Sequence, residues 1–446
     1  MLSILKKSIP LGEIQDSSVG TIIESYGRIS RISVMKKFWY LKIRTMYKDD
    51  ITLVADKSII KEKPSTYSAI KFEGIVSESP SGDREIKLTK VLYYSSFDSK
   101  DLLITPGMSS ELLRGLESQR MLDRKYQYIF YIYPRLCNYL RTLSKKMGML
   151  EIRPPLTTFS DCEGGGEVFK IVSDIKDFYK RKAYLTVSSQ VEEETATQRL
   201  SSHTYVLARS FRSDPSRTRF HVSEFDHYEP ELVYITLDQL MDVEEYIIKA
   251  LFSYVLEQKD IYDRLVYLKS PVADLKYWSD TKFASISYTD AIETLMMSGQ
   301  EFQVKPYWGL DLGKEHERWL CEKHFKKPTF VYEYPSKIKS FYMRQCPKIV
   351  SVKFGILQVC EGVDLLMPGL GELCGGSTRE YRYDVLLAQI KERGLDPKDY
   401  EEYLSLRKQG GIPTGGFGLG FDRLMMVITG AKSIRDVVPF PRYYGR

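Results

Sequence analysis

The chain has 446 residues, of which 43% are hydrophobic and 28% are charged, and these proportions indicate a globular protein of two or more domains. No run of about 18 apolar residues occurs, which excludes a membrane-spanning helix, and the short apolar run at the start is not expected to act as a signal peptide. Six scattered cysteines without a C-x-x-C pair and five histidines without ligand spacing argue against disulfides and zinc and favour a reducing, cytoplasmic location.

The net charge of +6 is unevenly distributed along the chain. Residues 1–100 hold 17 basic and 12 acidic residues, so most of the excess lies in the first quarter. Such a concentration is expected in a segment that binds a polyanion. An excess of five over a hundred residues also arises by chance, and both explanations stay open.

The first part of the chain is predicted to be a small β-barrel. Apolar and polar residues alternate in five segments between positions 18 and 95, and the sequence PSGD at 80–83 indicates a hairpin turn between the last two. Five strands in this order suit a closed barrel of the OB-fold type, which commonly binds nucleic acids.

One predicted strand, FWYLKIR, carries candidate nucleic-acid contacts. Its period of two places Phe38, Tyr40 and Lys42 on one face. Together with Arg28, Tyr40 and Lys42 form a surface suited to stacking on bases and binding phosphates. We expect Phe38 to belong to the core, whereas Tyr40 fits the core and the binding surface equally well.

A polar segment without periodicity divides the chain after the barrel. We expect residues 1–98 to form the barrel domain, 99–116 a linker and 117–446 a second domain. Apolar residues at three- and four-residue steps predict a long helix at the start of the second domain. The strand-like sequence MLEIRPPLTTFS follows and is stopped by its double proline, which ends at Pro155.

The next informative segments are DCEGGGEVFKI (161–171) and AYLTVSSQVEEET (183–195). Three consecutive glycines allow the backbone to approach a ligand closely, although a surface loop explains them as well. The second segment runs from a strand into a helix, and it places Ser188 and Gln190 at the turn between them.

The segment 211–231, FRSDPSRTRFHVSEFDHYEPE, is a cation-rich loop between two strand-like stretches. Arg212, Arg217 and His221 can surround an anion, because arginine offers forked donors that suit phosphate oxygens. An aromatic ring such as Phe225 can stack on a nucleobase. By residue types alone, a charged turn exposed to solvent is the simpler explanation. Three acidic residues, of a type that binds amines or magnesium, complete the loop: Glu224, Glu229 and Glu231.

Two later segments carry further candidate ligands. In VDLLMPGLGELCGGSTRE (363–380), Asp364 and Glu372 flank a Pro-Gly turn, and a hairpin brings two such carboxylates together on magnesium. In the segment 415–442, glycines at alternate positions let a strand pass under a ligand. Arg423 opens the following helix, where anions bind readily.

These segments together resemble a known family. The FR…H-x-x-EF…E pattern of 211–231 resembles motif 2 of class II aminoacyl-tRNA synthetases of the aspartyl/asparaginyl/lysyl subgroup. GFGLGFDRL followed by IRDVVPFPR resembles motif 3, and the strand that ends at Pro155 resembles motif 1. The segments 161–171 and 183–195 resemble those of the asparaginyl members, and the similarity covers essentially the whole chain.

The resemblance implies an α+β protein. It would have an N-terminal five-stranded OB-fold β-barrel that binds the anticodon and a class II synthetase catalytic domain with an antiparallel sheet flanked by helices. It also implies ligation of L-asparagine to tRNA(Asn) through an asparaginyl-adenylate, with ATP as substrate and Mg²⁺ as cofactor. The family's dimers predict a homodimer through the region near Pro155.

The resemblance implies a role for each candidate residue. Arg212 and Arg423 would be catalytic, since they hold the α- and γ-phosphates. The full ATP set would be Arg212, Arg217, His221, Glu224, Phe225, Glu372 and Arg423. The amino-acid set would be Glu163, Ser188, Gln190, Glu193, Glu229 and Arg379. The metal ligands would be Asp364, Glu372 and Glu231, and the anticodon contacts Arg28, Tyr40 and Lys42.

Two positions refine these implications. The family usually has arginine just before the motif 2 histidine, but here Phe220 stands there, and we expect Arg219 to substitute for it. Aspartyl members have a lysine where this chain has Glu193, and an anion there is expected to repel aspartate and tolerate asparagine. We also expect Arg379 to pair with Glu229, so that the two can recognise an amide.

Three other functions are compatible with parts of the sequence. An aspartyl-tRNA synthetase, whether discriminating or non-discriminating, shares motifs 2 and 3, but Glu193 and the glycine-rich segment argue against it. A paralogue that binds without charging would retain fewer of the family's ligands. An asparagine synthetase on the same catalytic fold would need no basic barrel.

Overall fold

The computed structural model describes residue 14 and residues 17–45, 50–105, 107–159, 168–175, 178–351 and 353–445. The chain divides into two compact units, Met1–Tyr131 and Ile132–Arg446. Within the residues described, no helix combines the length and the apolar character that a bilayer crossing requires.

The first unit contains a closed five-stranded barrel. Its strands are β1 (Ile22–Val34), β2 (Phe38–Arg44), β3 (Ile51–Asp56), β4 (Ala69–Glu78) and β5 (Arg84–Ser95). They follow one another around the barrel in the order β1-β2-β3-β5-β4. Neighbours are antiparallel except β3 and β5, whose parallel pairing closes the barrel. The predicted five-stranded barrel is confirmed.

The orientation of β2 differs from one expectation. Trp39, Leu41 and Ile43 point inward and join the barrel core. Phe38 is 36% exposed, so the prediction that Phe38 belongs to the core is wrong. Because side chains alternate along a strand, Tyr40 shares the outer face with Phe38.

The segment after the barrel is more ordered than a plain linker. It holds a 3-10 turn (Ser99–Asp101), helix α1 (Ser110–Gly115) and a second 3-10 turn (Gln119–Leu122). Ile104 and Leu113 are buried with Tyr126 in a small apolar cluster. Helix α1 begins at a Ser109 cap whose side chain accepts the Leu112 N–H.

The described part of the second unit has thirteen further strands. They are β6 (Leu150–Glu151), β7 (Thr157–Thr158), β8 (Lys170–Ile171), β9 (Ala183–Leu185), β10 (Thr204–Phe211), β11 (Glu224–Val233), β12 (Ala284–Ser287), β13 (Thr329–Tyr332), β14 (Ile349–Ser351), β15 (Gly355–Leu357), β16 (Gly362–Met367), β17 (Gly371–Thr378) and β18 (Thr414–Gly420). Eight of them form one sheet in the order β12-β13-β16-β17-β18-β11-β10-β6. Its interior pairs are antiparallel, as predicted, and only the two outermost pairs are parallel.

Helices flank this sheet. They are α2 (Arg124–Lys146), α3 (Gln190–Leu200), α4 (Leu237–Glu257), α5 (Lys259–Leu268), α6 (Val272–Asp280), α7 (Tyr288–Met297), α8 (Lys314–Arg318), α9 (Tyr383–Glu392), α10 (Glu401–Lys408) and α11 (Phe421–Thr429). A π-helical turn (Trp319–His324) extends α8, and 3-10 turns lie at Ser336–Ile338, Pro397–Tyr400 and Ile434–Asp436. Helix α4 begins with a capping box of Thr236 and Gln239 and buries one apolar face.

Glycines in β18 let side chains from β11 cross over that strand. A Cβ at Gly416 would lie 2.2 Å from Glu231 Oε2, and one at Gly418 would lie 2.5 Å from His227 Nε2. Both contacts are too short for any side chain, so glycine is required at these two positions. The centre of the sheet is thereby free to hold polar side chains of β11 and β17.

Candidate active site

Five of the predicted ATP-binding residues line one cavity of about 130 Å³ at the centre of the sheet. They come from four elements: the loop after β10, strands β11 and β17, and helix α11. The five are Arg212, His221, Phe225, Glu372 and Arg423. The sheet therefore brings together residues that lie as far as 211 positions apart in the chain.

Backbone pairing fixes the cationic side of this cavity. Arg212 directly follows β10, and its N–H donates to Ser223 O at 3.0 Å. The same hairpin pairs Ser210 with Phe225, which leaves the Arg212 guanidinium 5.4 Å from the centre of the Phe225 ring. From the other side, Arg423 Nη1 donates to Glu372 O at 3.2 Å.

His221 lies among cations. Its Nδ1 is 2.5 Å from Thr218 Oγ1, and its Nε2 is 3.8 Å from Asp214 Oδ2. Burial lowers the pKa of His221, and the charges of Arg423, Lys314 and Arg212 lower it further against the opposite effect of Asp214. A surplus of positive charge at this end of the cavity favours an anionic ligand.

Three residues predicted from the same loop do not line the cavity. The Arg217 guanidinium lies 5.5 Å from the Tyr444 ring centre. Arg219 lies over the Phe220 ring and lines a different cavity, so it does not take the place of the arginine that Phe220 replaces. Glu224 faces Arg209 Nε at 3.7 Å.

Asp364 and Glu372 converge as predicted for a metal site. A Cβ at Gly375 would lie 3.2 Å from Glu372 Oε1 and 3.4 Å from Asp364 Oδ1, so both oxygens face the space that the glycine leaves open. The second oxygen of Asp364 accepts from Lys339 Nζ at 2.6 Å. Magnesium is commonly held by one or two carboxylates together with substrate phosphates, and this pair fits that pattern.

A second cavity, of about 260 Å³, adjoins the first. It shares Arg212, His227, Glu372 and Gly418 with the first cavity. Four of the predicted amino-acid-binding residues line it: Ser188, Gln190, Glu229 and Arg379. Glu163, the fifth, lies outside the described residues.

Arg379 has a different partner from the one expected. Its Nη2 donates to Glu231 Oε2 at 2.7 Å and to Gln190 Oε1 at 2.5 Å, and its Nε donates to Glu231 Oε1 at 3.1 Å. The predicted pairing with Glu229 is wrong. Because Glu231 is buried and its carboxylate is held by Arg379, the expectation that Glu231 binds the metal is not supported by its position either.

Glu229 is surrounded by donors. Its carboxylate accepts from the Ser188 hydroxyl, from Ser189 N–H at 3.1 Å, and lies 3.3 Å from His227 Nδ1. Burial raises the pKa of Glu229, but the charge of His227 and these hydrogen bonds outweigh burial and lower the pKa to about 2. The cavity therefore contains a permanent negative charge at neutral pH.

Glu193 lies behind the cavity instead of in it. It is buried in α3 and accepts from Thr204 Oγ1 at 3.3 Å. Burial, and then the negative charges of Glu229 and Glu231, raise the pKa of Glu193 well above its usual value. The neutral acid is favoured, so the prediction that Glu193 presents an anion to the substrate is wrong.

A network of two acids and a tyrosine adjoins the first cavity, which Asp422 also lines. Tyr133 Oη lies 2.5 Å from Asp226 Oδ2 and 2.8 Å from Asp422 Oδ1, and Asp226 N–H donates to Asp422 Oδ2 at 2.9 Å. Burial and the charge of Asp226 raise the pKa of Asp422 to about 7. The network joins α2, β11 and α11 directly behind Phe225 and Arg423.

The three predicted anticodon contacts belong to the barrel. Arg28, Tyr40 and Lys42 lie on the outer face of strands β1 and β2. Arg28 Nη1 donates to Tyr67 O at 2.7 Å, and Lys42 Nζ donates to Thr52 Oγ1 at 2.8 Å. All three side chains leave polar or aromatic groups at the surface.

The chain is similar to proteins of one family over nearly its whole length. The family model of tRNA synthetases class II (D, K and N) matches residues 116–444. An asparagine–tRNA ligase of Clostridium novyi is 34% identical over 452 residues, 96% of each chain, and one of Oleidesulfovibrio alaskensis is 37% identical over 399 residues, 85% of this chain and 84% of its own. The chain belongs to the asparagine–tRNA ligase family.

A solved structure of this family has the same fold. The crystal structure of asparaginyl-tRNA synthetase from Pyrococcus horikoshii complexed with asparaginyl-adenylate matches with a TM-score of 0.86 and 31% identity, over 98% of this chain and 99% of that one. The predicted combination of an OB-fold barrel and a class II catalytic fold is confirmed.

Sequence reasoning overlooked three residues in or beside the two cavities. His227 lines both cavities, and the period of two from Phe225 to Glu229 in β11 was a sufficient signal for it. Lys339 reaches Asp364 from the segment before β16. Lys314 lies in α8, and neither lysine has a local pattern that marks it.

Proposed function

We propose that the chain joins L-asparagine to tRNA(Asn) in two steps that share one site. A carboxylate oxygen of asparagine attacks the α-phosphorus of ATP, and the bond from that phosphorus to pyrophosphate breaks. The terminal ribose hydroxyl of the tRNA then attacks the carbonyl carbon, loses its proton and displaces AMP. The observation that carries the proposal is the pair of adjoining cavities, one cationic and one lined by Glu229 and Arg379.

Arg212 belongs to both cavities, which is where the reacting α-phosphate must lie between ATP and the amino acid. Its guanidinium would stabilise the charge that develops on the phosphorus. Phe225 would stack on adenine, while Arg423 and His221 would hold the far phosphates. Asp364 and Glu372 would hold Mg²⁺, which neutralises phosphate charge when bound.

Selection of asparagine would rest on Glu229 and Arg379. Ionised Glu229 accepts from the amide NH₂ of asparagine and repels the side-chain carboxylate of aspartate. Arg379 has one Nη1 hydrogen beyond the one given to Ser377 Oγ, and this hydrogen would donate to the amide oxygen. Ser188 and Gln190, together with Glu163, would hold the substrate ammonium.

The test is ATP–pyrophosphate exchange with each amino acid in turn. Exchange with asparagine at least tenfold faster than with aspartate is expected, followed by transfer of asparagine to tRNA(Asn). Faster exchange with aspartate would favour an aspartyl-tRNA synthetase. Exchange without transfer would contradict the second step.

The barrel is proposed to bind the tRNA anticodon. Tyr40 offers a ring on the outer face of β2 on the same side as Lys42, and Arg28 of the paired strand β1 lies further along, opposite Arg44, which suits stacking of bases over a basic surface. Loss of a stacked base costs about 1–3 kcal/mol. Tyr40→Ala is therefore expected to raise the KM for tRNA without changing pyrophosphate exchange.

A homodimer through the region near Pro155 is also proposed. β6 is the edge strand of the large sheet, and Leu150 and Leu156 on either side of the double proline are exposed. Such apolar groups at a sheet edge are suited to an interface. Light scattering should give twice the chain mass of 51.7 kDa.

The five described cysteines are free, which supports a reducing, cytoplasmic location.

A further inference from the structure

The phosphate end of the cavity lacks one cation that the motif 2 loop was expected to supply. Phe220 stands where the family usually has arginine and lines the cavity with its ring. The two nearby arginines are directed elsewhere: Arg217 towards Tyr444 and Arg219 over Phe220. Arg423 and His221 remain, and the lowered pKa of His221 makes it a weak cation at neutral pH.

Lys314 brings a positive charge to this end from an unrelated element. Its Nζ donates to Glu317 Oε2 at 2.8 Å, and the same oxygen accepts the N–H of Glu372 at 2.9 Å. One carboxylate oxygen thus holds the ammonium beside the backbone of a residue that lines the cavity. A Cβ at Gly371 would lie 3.2 Å from Lys314 Nζ, so the glycine before Glu372 leaves room for the lysine.

The surroundings of Lys314 suit a ligand contact better than a purely structural ion pair. The lysine side chain is 35% exposed, whereas that of Glu317 is 10% exposed. An ammonium has three donors, and one of them meets Glu317. Through Glu317 the ammonium lies beside the backbone of Glu372, and its positive charge lowers the pKa of His221, so it lies within electrostatic reach of the phosphate end.

We propose that Lys314 binds the far phosphate of ATP and the pyrophosphate that leaves, in place of the arginine missing at Phe220. Glu317 is its positioning residue, because it holds the ammonium beside Glu372. This inference rests on the proposed function. It assigns a cation from α8 to the substrate phosphate, and it explains how the phosphate end keeps its charge without the motif 2 arginine.

Lys314→Met tests the inference, with Lys314→Arg as the conservative variant and Lys323→Met as the matched control. Lys323 is an exposed lysine of the adjoining π-helical turn. Lys314→Met removes a charge-assisted donor to the phosphates and is expected to raise the KM for ATP and for pyrophosphate by roughly tenfold or more. The KM for asparagine should change less than twofold, Lys314→Arg should recover most of the loss, and Lys323→Met should resemble the parent protein.

A binding measurement tests the contact between Lys314 and ATP without requiring catalytic turnover. By calorimetry, Lys314→Met should weaken ATP binding and leave AMP binding unchanged, because AMP lacks the far phosphates. Equal loss for ATP and AMP, or no loss for either, would overturn the inference. An effect confined to the KM for tRNA would assign the lysine to the nucleic acid and would also overturn it.

Glu317→Gln tests the positioning role. Like Lys314→Met, it should raise the KM for pyrophosphate. The KM of the double variant should be no higher than that of Lys314→Met alone, because both changes remove the same ion pair between Lys314 and Glu317. Additive losses would contradict the role of Glu317. Failure of the parent protein to exchange pyrophosphate with asparagine would reject the proposed function, whereas normal parent exchange with a silent Lys314→Met rejects only the lysine.

Discussion

The two ends of the candidate active site hold charge in different ways. At the ATP end, Arg212 and Arg423 are half-buried and cations outnumber the anions that face them. At the amino-acid end, Arg379 and Glu231 are 4% and 1% exposed and are already paired with each other. The first end is suited to receive a polyanion, whereas the second holds a balanced ion pair together with the ionised Glu229, which suits a neutral amide better than a carboxylate.

Two buried acids, one at each end of the site, differ in the direction in which their pKa is shifted. Glu229 is surrounded by donors and has a pKa lowered to about 2 despite its burial. Asp422 is buried beside a second carboxylate, Asp226, and has a pKa raised to about 7. Burial alone therefore does not decide the charge of an acid in this protein. The neighbouring hydrogen-bond donors and carboxylates decide it.

The largest effect is expected from breaking the ion pair at the amino-acid end. Arg379→Leu leaves the Glu231 carboxylate buried without its cation, which typically costs about 3–5 kcal/mol. The free energy of unfolding in urea should fall by this amount and asparagine-dependent exchange should be lost. Arg318→Leu, which breaks an ion pair with Glu322 whose arginine is 39% exposed, should cost at most about 1 kcal/mol. Equal losses of unfolding free energy in the two variants would contradict the difference between the buried and the exposed ion pair.

At the ATP end the same kind of truncation should affect the reaction and spare the fold. Arg212→Ala removes a donor to the transition-state phosphate and should reduce kcat in pyrophosphate exchange about 10²–10³-fold, which is about 2.7–4 kcal/mol. Arg219→Ala, from the same loop but lining another cavity, is the control and should stay within about threefold. Near-normal exchange by Arg212→Ala would remove it from the catalytic set.

The same contrast explains what could be predicted from the sequence. The ATP end is encoded in short local patterns, so Arg212, Phe225 and Arg423 were assigned correctly to one cavity. At the amino-acid end, the partner of Arg379 depends on strand register: Glu231 and Ser377 both lie opposite Gly416, and no local pattern reveals that register.

The remaining errors also come from long-range packing. The five barrel strands follow from alternation, but Phe38 and Trp39 are adjacent aromatic residues, and only the closed barrel decides which of them is inside. Glu193 looks like an exposed helical acid in sequence, whereas its burial beside two other carboxylates favours its neutral form. Lys314 lies in a helix more than eighty residues after the motif 2 segment 211–231.

A pH-dependent effect is expected at Asp422. Its pKa of about 7 exceeds the ordinary value of 3.8 for aspartate, so between these values the folded state holds a proton that the unfolded state has released, and stability falls as pH rises. Tyr133, Asp226 and Arg209 are the groups that face or influence it. Tyr133 has one hydroxyl proton for two carboxylates, which accounts for the protonated form of Asp422.

Asp422→Asn should mimic that protonated form. Its amide oxygen can accept the Asp226 N–H and its NH₂ can donate to Tyr133. The stability of the variant relative to the parent should therefore rise between pH 4 and pH 7, by up to about 1.4 kcal/mol per pH unit, and level off above pH 7. Urea denaturation across this range measures the difference, and a difference independent of pH would contradict the assignment.

The smallest effect is expected at Glu193. Comparison with Glu229 shows which of these two acids discriminates asparagine from aspartate. Because Glu193 favours its neutral form behind the cavity, Glu193→Gln keeps its shape and charge, and the ratio of asparagine to aspartate exchange should change less than threefold. Glu229→Gln removes the ionised acid that lines the cavity and should lower that ratio by roughly tenfold, equivalent to about 1.4 kcal/mol. If Glu193→Gln lowered the ratio and Glu229→Gln did not, the negative charge that excludes aspartate would belong to α3, and the neutral state of Glu193 would be wrong.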